Sequence, residues 1–301
     1  QDSRDEINNI SYIFLLSLIG NGYSWAFISI VFIWAYIWLK LNNDTFEGFV
    51  SNDGIEEIKP IYRKNGFIYW LFTVFLVLLL DSYWIHIPTI IYKNFYYILG
   101  TTNLVSHILC VYLYCKNIKK YKNVLNKEDI VQLNNLLNTD DLSEYTEEQI
   151  VKEPLQNTYS FKIKEPSIFL FYRGILRHPV FFKVDLKQYI NSRIGMILWH
   201  ILILSFWMYS VRRHEDINHG YLVNIILQSL YIMKFFYWES GYYNTLDITL
   251  DRAGFYILWG CLTYLPFLYT LSSYYFVKNQ PNISIFSSYI ILLFGIFFIM
   301  L

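Results

Sequence analysis

Seven long apolar runs constrain what this chain can fold into more than any other feature. They cover residues 25–41, 66–80, 95–115, 192–211, 221–238, 254–277 and 283–301. A helix needs roughly 17–25 mostly apolar residues to cross hydrocarbon, and each run reaches or approaches that length. Only 16% of the residues are charged, although a soluble domain carries about a quarter. The sequence therefore predicts an all-α, polytopic bundle of transmembrane helices, with about seven spans in this chain.

The distribution of lysine and arginine predicts which side of the membrane each connecting segment faces. If all seven runs cross, the segments between them place seventeen basic residues on one side and five on the other. Because basic residues accumulate in cytoplasmic segments, the richer side is predicted to be cytoplasmic. The segment 239–252 falls on that side, so we expect a multi-pass protein whose 239–252 loop faces the cytoplasm.

The chain is predicted to form one membrane domain over residues 1–301. It looks truncated at both ends, because it begins with Gln1 and stops inside an apolar run at Leu301. One hydrophilic block, residues 116–166, interrupts the apolar runs. We interpret this block as a solvated cytoplasmic loop insert, and a partner-binding insert is the alternative.

Several classes of function lack support in the sequence. No separate basic domain is present in the sequence, so we expect no nucleic-acid partner. Cys110, Cys115 and Cys261 have no C-x-x-C spacing, and the histidines have no metal-ligand spacing, so we expect no metal site. No G-x-G-x-x-G, P-loop or G-x-S-x-G motif occurs, which leaves Rossmann, nucleotide-hydrolase and serine-hydrolase functions unsupported.

A cluster of charged residues separates two of the apolar runs. Its members are Lys234, Glu239, Asp247, Asp251 and Arg252. Charged groups near the bilayer core are costly unless they are paired or functional, so the cluster is a candidate site. Asp247 and Asp251 are four residues apart and would face the same way on a helix, where they would repel unless one is protonated or a cation intervenes. Such a pair can supply a proton, or it can be a structural salt-bridge cluster at a helix end.

The run 221–238 carries a polar face. Asn224, Gln228 and Tyr231 recur at helical spacing and therefore lie on one side of the predicted helix. Amides that faced lipid would be left without hydrogen-bond partners, so this side must face protein or water. The residues either form hydrogen bonds between helices or line a pocket.

Three stretches together resemble the integral-membrane sterol reductases. The first is KFFYWESGYYNTLDITLDRAGFY, residues 234–256. The second is FYRGILRHP, residues 171–179, followed by a segment in which Asp185, Lys187, Arg193 and Gly195 fit the family pattern. The third is KPIYRKNGF, residues 59–67. The chain is most similar to the 7-dehydrocholesterol (Δ7) reductase branch, which is related to the Δ14-sterol reductases.

The resemblance implies an activity, a location and a set of site residues. It implies NADPH-dependent reduction of a sterol ring double bond, most like C7=C8, by an enzyme of sterol biosynthesis in the endoplasmic reticulum membrane, in contact with membrane lipids. The implied catalytic residues are Glu239, Asp247 and Asp251, and the implied sterol-binding wall is Tyr231, Trp238 and Asn244. The residues that bind NADPH are expected beyond Leu301, so the 301-residue chain alone is expected to be inactive.

Four positions depart from the family pattern. Leu170, Leu176 and Leu250 replace the Asp, Glu and His that the family carries, and His178 replaces Asn or Tyr. These losses keep an alternative open. The alternative is a non-catalytic sterol-binding or membrane-scaffold relative, like the lamin B receptor branch of the same family.

Overall fold

The computed structural model describes residues 17–41, 44–49, 51–52, 57–83, 87–138 and 166–301. The helices in chain order are α1 (Gly22–Leu41), α2 (Gly66–Tyr83), α3 (Ile87–Lys93), α4 (Phe95–Asn138), α5 (Ser167–Arg173), α6 (Met196–His214), α7 (His219–Tyr237), α8 (Glu239–Tyr242), α9 (Leu246–Thr249), α10 (Phe255–Trp259), α11 (Leu265–Leu268), α12 (Leu271–Phe276) and α13 (Ile285–Met300). Two π-helices, π1 (Gln188–Gly195) and π2 (Gly260–Tyr264), lead into α6 and α11.

The prediction of a polytopic helical membrane protein is confirmed. Five helical segments of the described chain are long and apolar enough to span a membrane: Ser17–Leu41, Gly66–Tyr83, Phe95–Lys119, Gln188–His214 and Phe255–Phe276. The other two predicted spans are also helices. One of them, α7, carries Asn224, Gln228 and Lys234, and the other, α13, is a shorter apolar helix of 16 residues.

The span Gln188–His214 forms the centre of the bundle. In its apolar stretch 83% of the residues are buried, against 22–39% in the other four spans. The outer helices expose large apolar side chains such as Ile30, Phe75 and Val111. Such side chains are suited to contact with lipid, because hydrocarbon does not penalise exposed apolar groups as water does. The central helix can therefore carry polar residues that its neighbours shield from lipid.

Three short antiparallel strand pairs lie between the helices. Strands β1 (Thr45–Glu47) and β4 (Ile61–Arg63) pair with Phe46 opposite Tyr62. Strands β2 (Ser51–Asn52) and β3 (Glu57–Ile58) form the second pair. Strands β5 (Val180–Phe181) and β6 (Val184–Asp185) form the third, immediately before π1. The first and third pairs position the side chains of the candidate site.

The structure changes two expectations about local conformation. Helix α4 continues without interruption to Asn138, so the first part of the predicted 116–166 loop is helical, and residues 139–165 of it lie outside the described chain. Helix α9 ends at Thr249, and Asp251 lies in the bend that follows. The expectation that Asp247 and Asp251 share one helix face is therefore wrong, because the helix is a single turn.

Candidate functional site

A buried ion pair between Arg193 and Glu239 lies at the centre of the site. The Arg193 guanidinium contacts both carboxylate oxygens, through Nη1 to Oε1 and through Nη2 to Oε2 at 3.1 Å. Nη2 also donates to Asn65 Oδ1 at 2.9 Å. Both side chains are almost completely buried, with exposures of 0% and 6%. A bidentate pair with further hydrogen bonds is the geometry that compensates the desolvation of two charges.

Tyr243 completes the coordination of the Glu239 carboxylate. Its hydroxyl donates to Glu239 Oε1 at 2.6 Å and lies 2.5 Å from Ser192 Oγ. Burial, together with the nearby Glu239 carboxylate, raises the pKa of Tyr243 well above its usual value. Tyr243 is therefore a neutral donor at physiological pH, and it donates to the same carboxylate oxygen that Arg193 Nη1 contacts.

Gly66 allows the ion pair to form. A Cβ atom at this position would lie 2.0 Å from Glu239 Oε2, so any larger residue would push the carboxylate away from its place beside Arg193. Asn65 and Gly66 belong to the 59–67 stretch, Arg193 to the second stretch and Glu239 to the first. The three stretches that resemble the sterol reductases therefore meet at one buried ion pair.

A second buried polar cluster adjoins the first. Tyr62 Oη lies 3.3 Å from His178 Nδ1, which in turn lies 3.6 Å from Asp185 Oδ2. The other carboxylate oxygen of Asp185 accepts a hydrogen bond of 2.9 Å from the backbone N–H of Gln188, at the start of π1. The Tyr62 ring stacks on Tyr243 with centroids 4.3 Å apart, which joins the two clusters. His178, a departure from the family pattern, thus remains part of a polar contact network.

Lys187 binds backbone carbonyls of the segment that contains Asp247 and Asp251. This lysine is fully buried. Its ammonium group donates to the Ile248 carbonyl at 2.7 Å and to the Asp251 carbonyl. A cation at the end of a helix satisfies carbonyls that have no partner within the helix. Sequence reasoning placed Lys187 in the family pattern but assigned it no role.

Two glycines bring the second and first stretches into backbone contact. Gly174 has a φ of +91°, and a Cβ there would lie 2.5 Å from the backbone of Ala253. A Cβ on Gly254 would lie 2.1 Å from the Gly174 nitrogen. The neighbouring amide of Ala253 donates to the Leu176 carbonyl at 2.8 Å. Leu176 makes this contact through its backbone carbonyl, so the contact does not depend on the leucine side chain.

The structure separates the three predicted catalytic acids. Glu239 is buried in the ion pair, Asp247 is exposed and Asp251 is half-buried. The cation beside Glu239 is Arg193, which the charged cluster identified in the sequence did not include. Arg193 was missed because it lies 46 positions away, and only its place in the R-x-G pattern could have indicated it.

The predicted sterol-binding wall is partly assembled. Tyr231 and Trp238 line an open groove of about 640 Å³, whereas Asn244 is exposed and is not among the lining residues. The lining residues are Tyr231, Lys234, Phe235, Trp238, Gly241, Tyr242, Thr245, Phe298 and Ile299. Pockets of about 300–1,000 Å³ accommodate small organic ligands. The groove therefore has room for a compact, largely apolar molecule.

The polar face of α7 serves two purposes. Gln228 accepts from Trp199 Nε1 at 2.9 Å and donates to Ser273 Oγ at 3.1 Å. Asn224 accepts from the same serine at 3.0 Å. These two amides connect neighbouring helices, as one of the two sequence alternatives predicted. Tyr231, on the same face, lines the groove instead, as the other alternative predicted.

Comparison with known proteins identifies the family. Residues 145–301, just over half of the chain, match the model of the "Ergosterol biosynthesis ERG4/ERG24 family". The chain belongs to this family. The resemblance to the sterol reductases that the sequence showed is thereby confirmed.

The relatives in this family carry two kinds of name. The chain is 32% identical to a 7-dehydrocholesterol reductase of Arabidopsis thaliana over 248 residues, 82% of this chain and 48% of that protein. It is 30% identical to that of Danio rerio over 230 residues, 74% of this chain and 40% of the relative. A Delta(14)-sterol reductase of Methylotuvimicrobium alcaliphilum is 30% identical over 115 residues, 38% of this chain and 27% of that protein. The chain thus spans less than half the length of these relatives.

Proposed function

We propose that this chain forms the sterol-binding part of an enzyme that reduces a sterol ring double bond. The C7=C8 bond is the proposed target, because the 7-dehydrocholesterol reductases of Arabidopsis thaliana and Danio rerio match over 82% and 74% of the chain, and the Delta(14)-sterol reductase over 38%. The observation that carries the proposal is the groove beside the ion pair. Its walls come from α7, α8 and α13, next to the stretch that resembles the sterol reductases most.

The groove suits a sterol by its chemistry. Phe235, Trp238, Phe298 and Ile299 provide an apolar surface, and the polar side chains stand at separate places along it. A rigid ring system buries a large apolar area without losing much conformational freedom, which favours its binding in such a groove. Contact with these walls would also displace water from the ring system before reduction.

The acids take different roles in this proposal. Glu239 is neutralised by Arg193, so it holds α8 against π1 and acts as a positioning residue. Asp247 and Asp251 remain the proposed catalytic acids. The pKa of Tyr242, which lines the groove, is raised first by burial, then by Cys261 and then by the nearby Asp247. The negative charge of Asp247 would stabilise positive charge that develops on the sterol during reduction.

NADPH is the proposed hydride donor, as the resemblance implies. A bound dinucleotide needs cations or free backbone amides for its phosphates. The two buried cations of the site do not provide them, because Arg193 is bound by Glu239 and Lys187 donates to backbone carbonyls. These two residues therefore do not fit the dinucleotide phosphates.

The activity is tested with the full-length protein in microsomes. The microsomes receive NADPH and either 7-dehydrocholesterol or a sterol with a C14=C15 double bond, and the products are separated by gas chromatography. We expect reduction of the first sterol only. Asp247→Asn and Asp251→Asn should each lower kcat by about 10²- to 10⁴-fold, the range for loss of an acid–base group. Ser240→Ala, at an exposed neighbouring position, is the matched control.

Three outcomes would each contradict a part of the proposal. Failure to reduce either sterol would remove the reductase function and leave a non-catalytic relative. Wild-type turnover in both Asp variants would remove the assignment of the acids while leaving the function. Reduction of the C14=C15 bond alone would correct only the position of the double bond.

The location is proposed to be the endoplasmic reticulum membrane, with residues 239–252 facing the cytoplasm. Thr245 is exposed and suits a labelling test. In a background without the three native cysteines, Thr245→Cys should react with a membrane-impermeant maleimide in sealed microsomes. Labelling that requires detergent would place the segment on the opposite side.

A further inference from the structure

One hydroxyl in the groove is held in place by a residue outside it. Asn191, in the buried helix π1, donates through Nδ2 to the phenolic oxygen of Tyr242. The Tyr242 ring also packs against Phe235, with centroids 4.9 Å apart, and against Tyr243 at 5.6 Å. The side chain is therefore fixed from two directions before any ligand arrives, which lowers the entropy cost of binding.

Tyr242 has a hydrogen to give to a ligand. Asn191 approaches the phenolic oxygen as a donor, and among the described residues no acceptor takes the phenolic hydrogen. The pKa of Tyr242 is raised, chiefly by burial, so the phenol keeps its hydrogen at physiological pH. A buried or half-buried donor gains a hydrogen bond from a ligand that brings an oxygen to it.

Two other side chains of the groove already donate a hydrogen bond within the protein. Lys234 donates to the Ile299 carbonyl at the end of α13. Thr245 donates to the Tyr242 carbonyl at 2.7 Å. Tyr231 is 50% exposed, and its ring contacts Trp199 at 5.8 Å. A ligand with a single polar group therefore finds its best-fixed partner at Tyr242.

The geometry points to Tyr242, positioned by Asn191, as the residue that recognises the hydroxyl of the sterol. This inference rests on the proposed sterol-binding function and adds the orientation of the substrate. The ring that carries the hydroxyl would lie beside Tyr242. The remaining rings and the aliphatic tail would extend along Phe235, Trp238 and Phe298.

Binding without reduction tests the inference. The full-length protein is placed in nanodiscs without NADPH, and the fluorescent sterol dehydroergosterol is displaced by unlabelled 7-dehydrocholesterol or by its 3-deoxy analogue. We expect the wild type to prefer the hydroxylated sterol by roughly 2- to 12-fold, the effect of one neutral hydrogen bond. Tyr242→Phe keeps the ring and should bind the two sterols about equally.

Two further variants separate recognition from general damage. Tyr237→Phe removes an exposed hydroxyl outside the groove lining and should keep the wild-type preference. Asn191→Ala removes the positioning contact and should reduce the preference without abolishing sterol binding. An equal loss of preference in Tyr237→Phe and Tyr242→Phe, or an unchanged preference in Tyr242→Phe, would overturn the inference. A wild-type protein that binds neither sterol would instead overturn the proposed sterol function.

Discussion

Replacing Glu239 by glutamine is expected to destabilise the fold strongly. The substitution keeps the volume of the side chain and removes its charge, so no cavity is created. The Arg193 guanidinium, which is 0% exposed, would then be a buried cation without a counter-charge. Removing one partner of a buried ion pair costs about 3–5 kcal/mol, because the other charge stays desolvated.

The contacts that remain place the expected loss at the lower end of that range. Arg193 Nη2 keeps its hydrogen bond to Asn65 Oδ1 at 2.9 Å and a longer one to the Arg63 carbonyl at 3.3 Å. Tyr243 could still donate to the amide oxygen of the glutamine. We therefore expect a loss of about 3 kcal/mol in the free energy of unfolding.

The free energy is measured by equilibrium unfolding of the purified protein in mixed detergent micelles. Asp81→Asn is the matched control, because Asp81 also pairs with an arginine, Arg212, but their side chains are 16% and 31% exposed. For this more accessible pair we expect a loss of about 1 kcal/mol or less. The double variant Arg193→Met, Glu239→Gln should be no less stable than either single variant, because it leaves no unpaired charge.

Two results would refute the reasoning. If Glu239→Gln loses no more stability than Asp81→Asn, the pair is not desolvated as the structure describes. If the effects of Arg193→Met and Glu239→Gln add in the double variant, the two side chains are not coupled.

Three further perturbations follow from the packing. Gly66→Ala should lower the midpoint of thermal unfolding by several degrees, because its Cβ would overlap the site carboxylate, whereas Gly241→Ala has open space and should not lower it. Lys187→Met should speed amide hydrogen exchange in residues 246–254, and unchanged exchange would show that the lysine does not hold them. Burial raises the folded pKa of Tyr243 above its unfolded value, so its contribution is full below about pH 10 and is lost as pH rises further. Above about pH 10 the free energy of unfolding should therefore fall less steeply with pH in Tyr243→Phe than in the wild type. Tyr83→Phe, at an exposed position, should keep the wild-type slope.

Much of the fold follows from local properties of the sequence. The apolar runs predicted helices in the right places, because the length and hydrophobicity of a segment decide whether it suits hydrocarbon. The spacing of Asn224, Gln228 and Tyr231 predicted one face of α7, because helical periodicity is also local. The four-residue spacing of Asp247 and Asp251 predicted a shared helix face in the same way, and that prediction was wrong. There, Lys187 binds the backbone carbonyls from more than 60 positions away, and the helix ends after one turn.

The sequence alone determined the class of protein and the stretches that resemble the family, and it indicated Glu239 as a site residue. Only the tertiary structure decided what Glu239 does. Its partner Arg193 lies 46 positions away in the sequence, and Asn65, which accepts a hydrogen bond from Arg193, lies 128 positions from that arginine. A charge can be buried only where such distant groups compensate its desolvation, and no local pattern records which groups will meet. For the same reason Glu239, one of three acids that the resemblance implied to be catalytic, is found in the folded chain in a buried ion pair with Arg193.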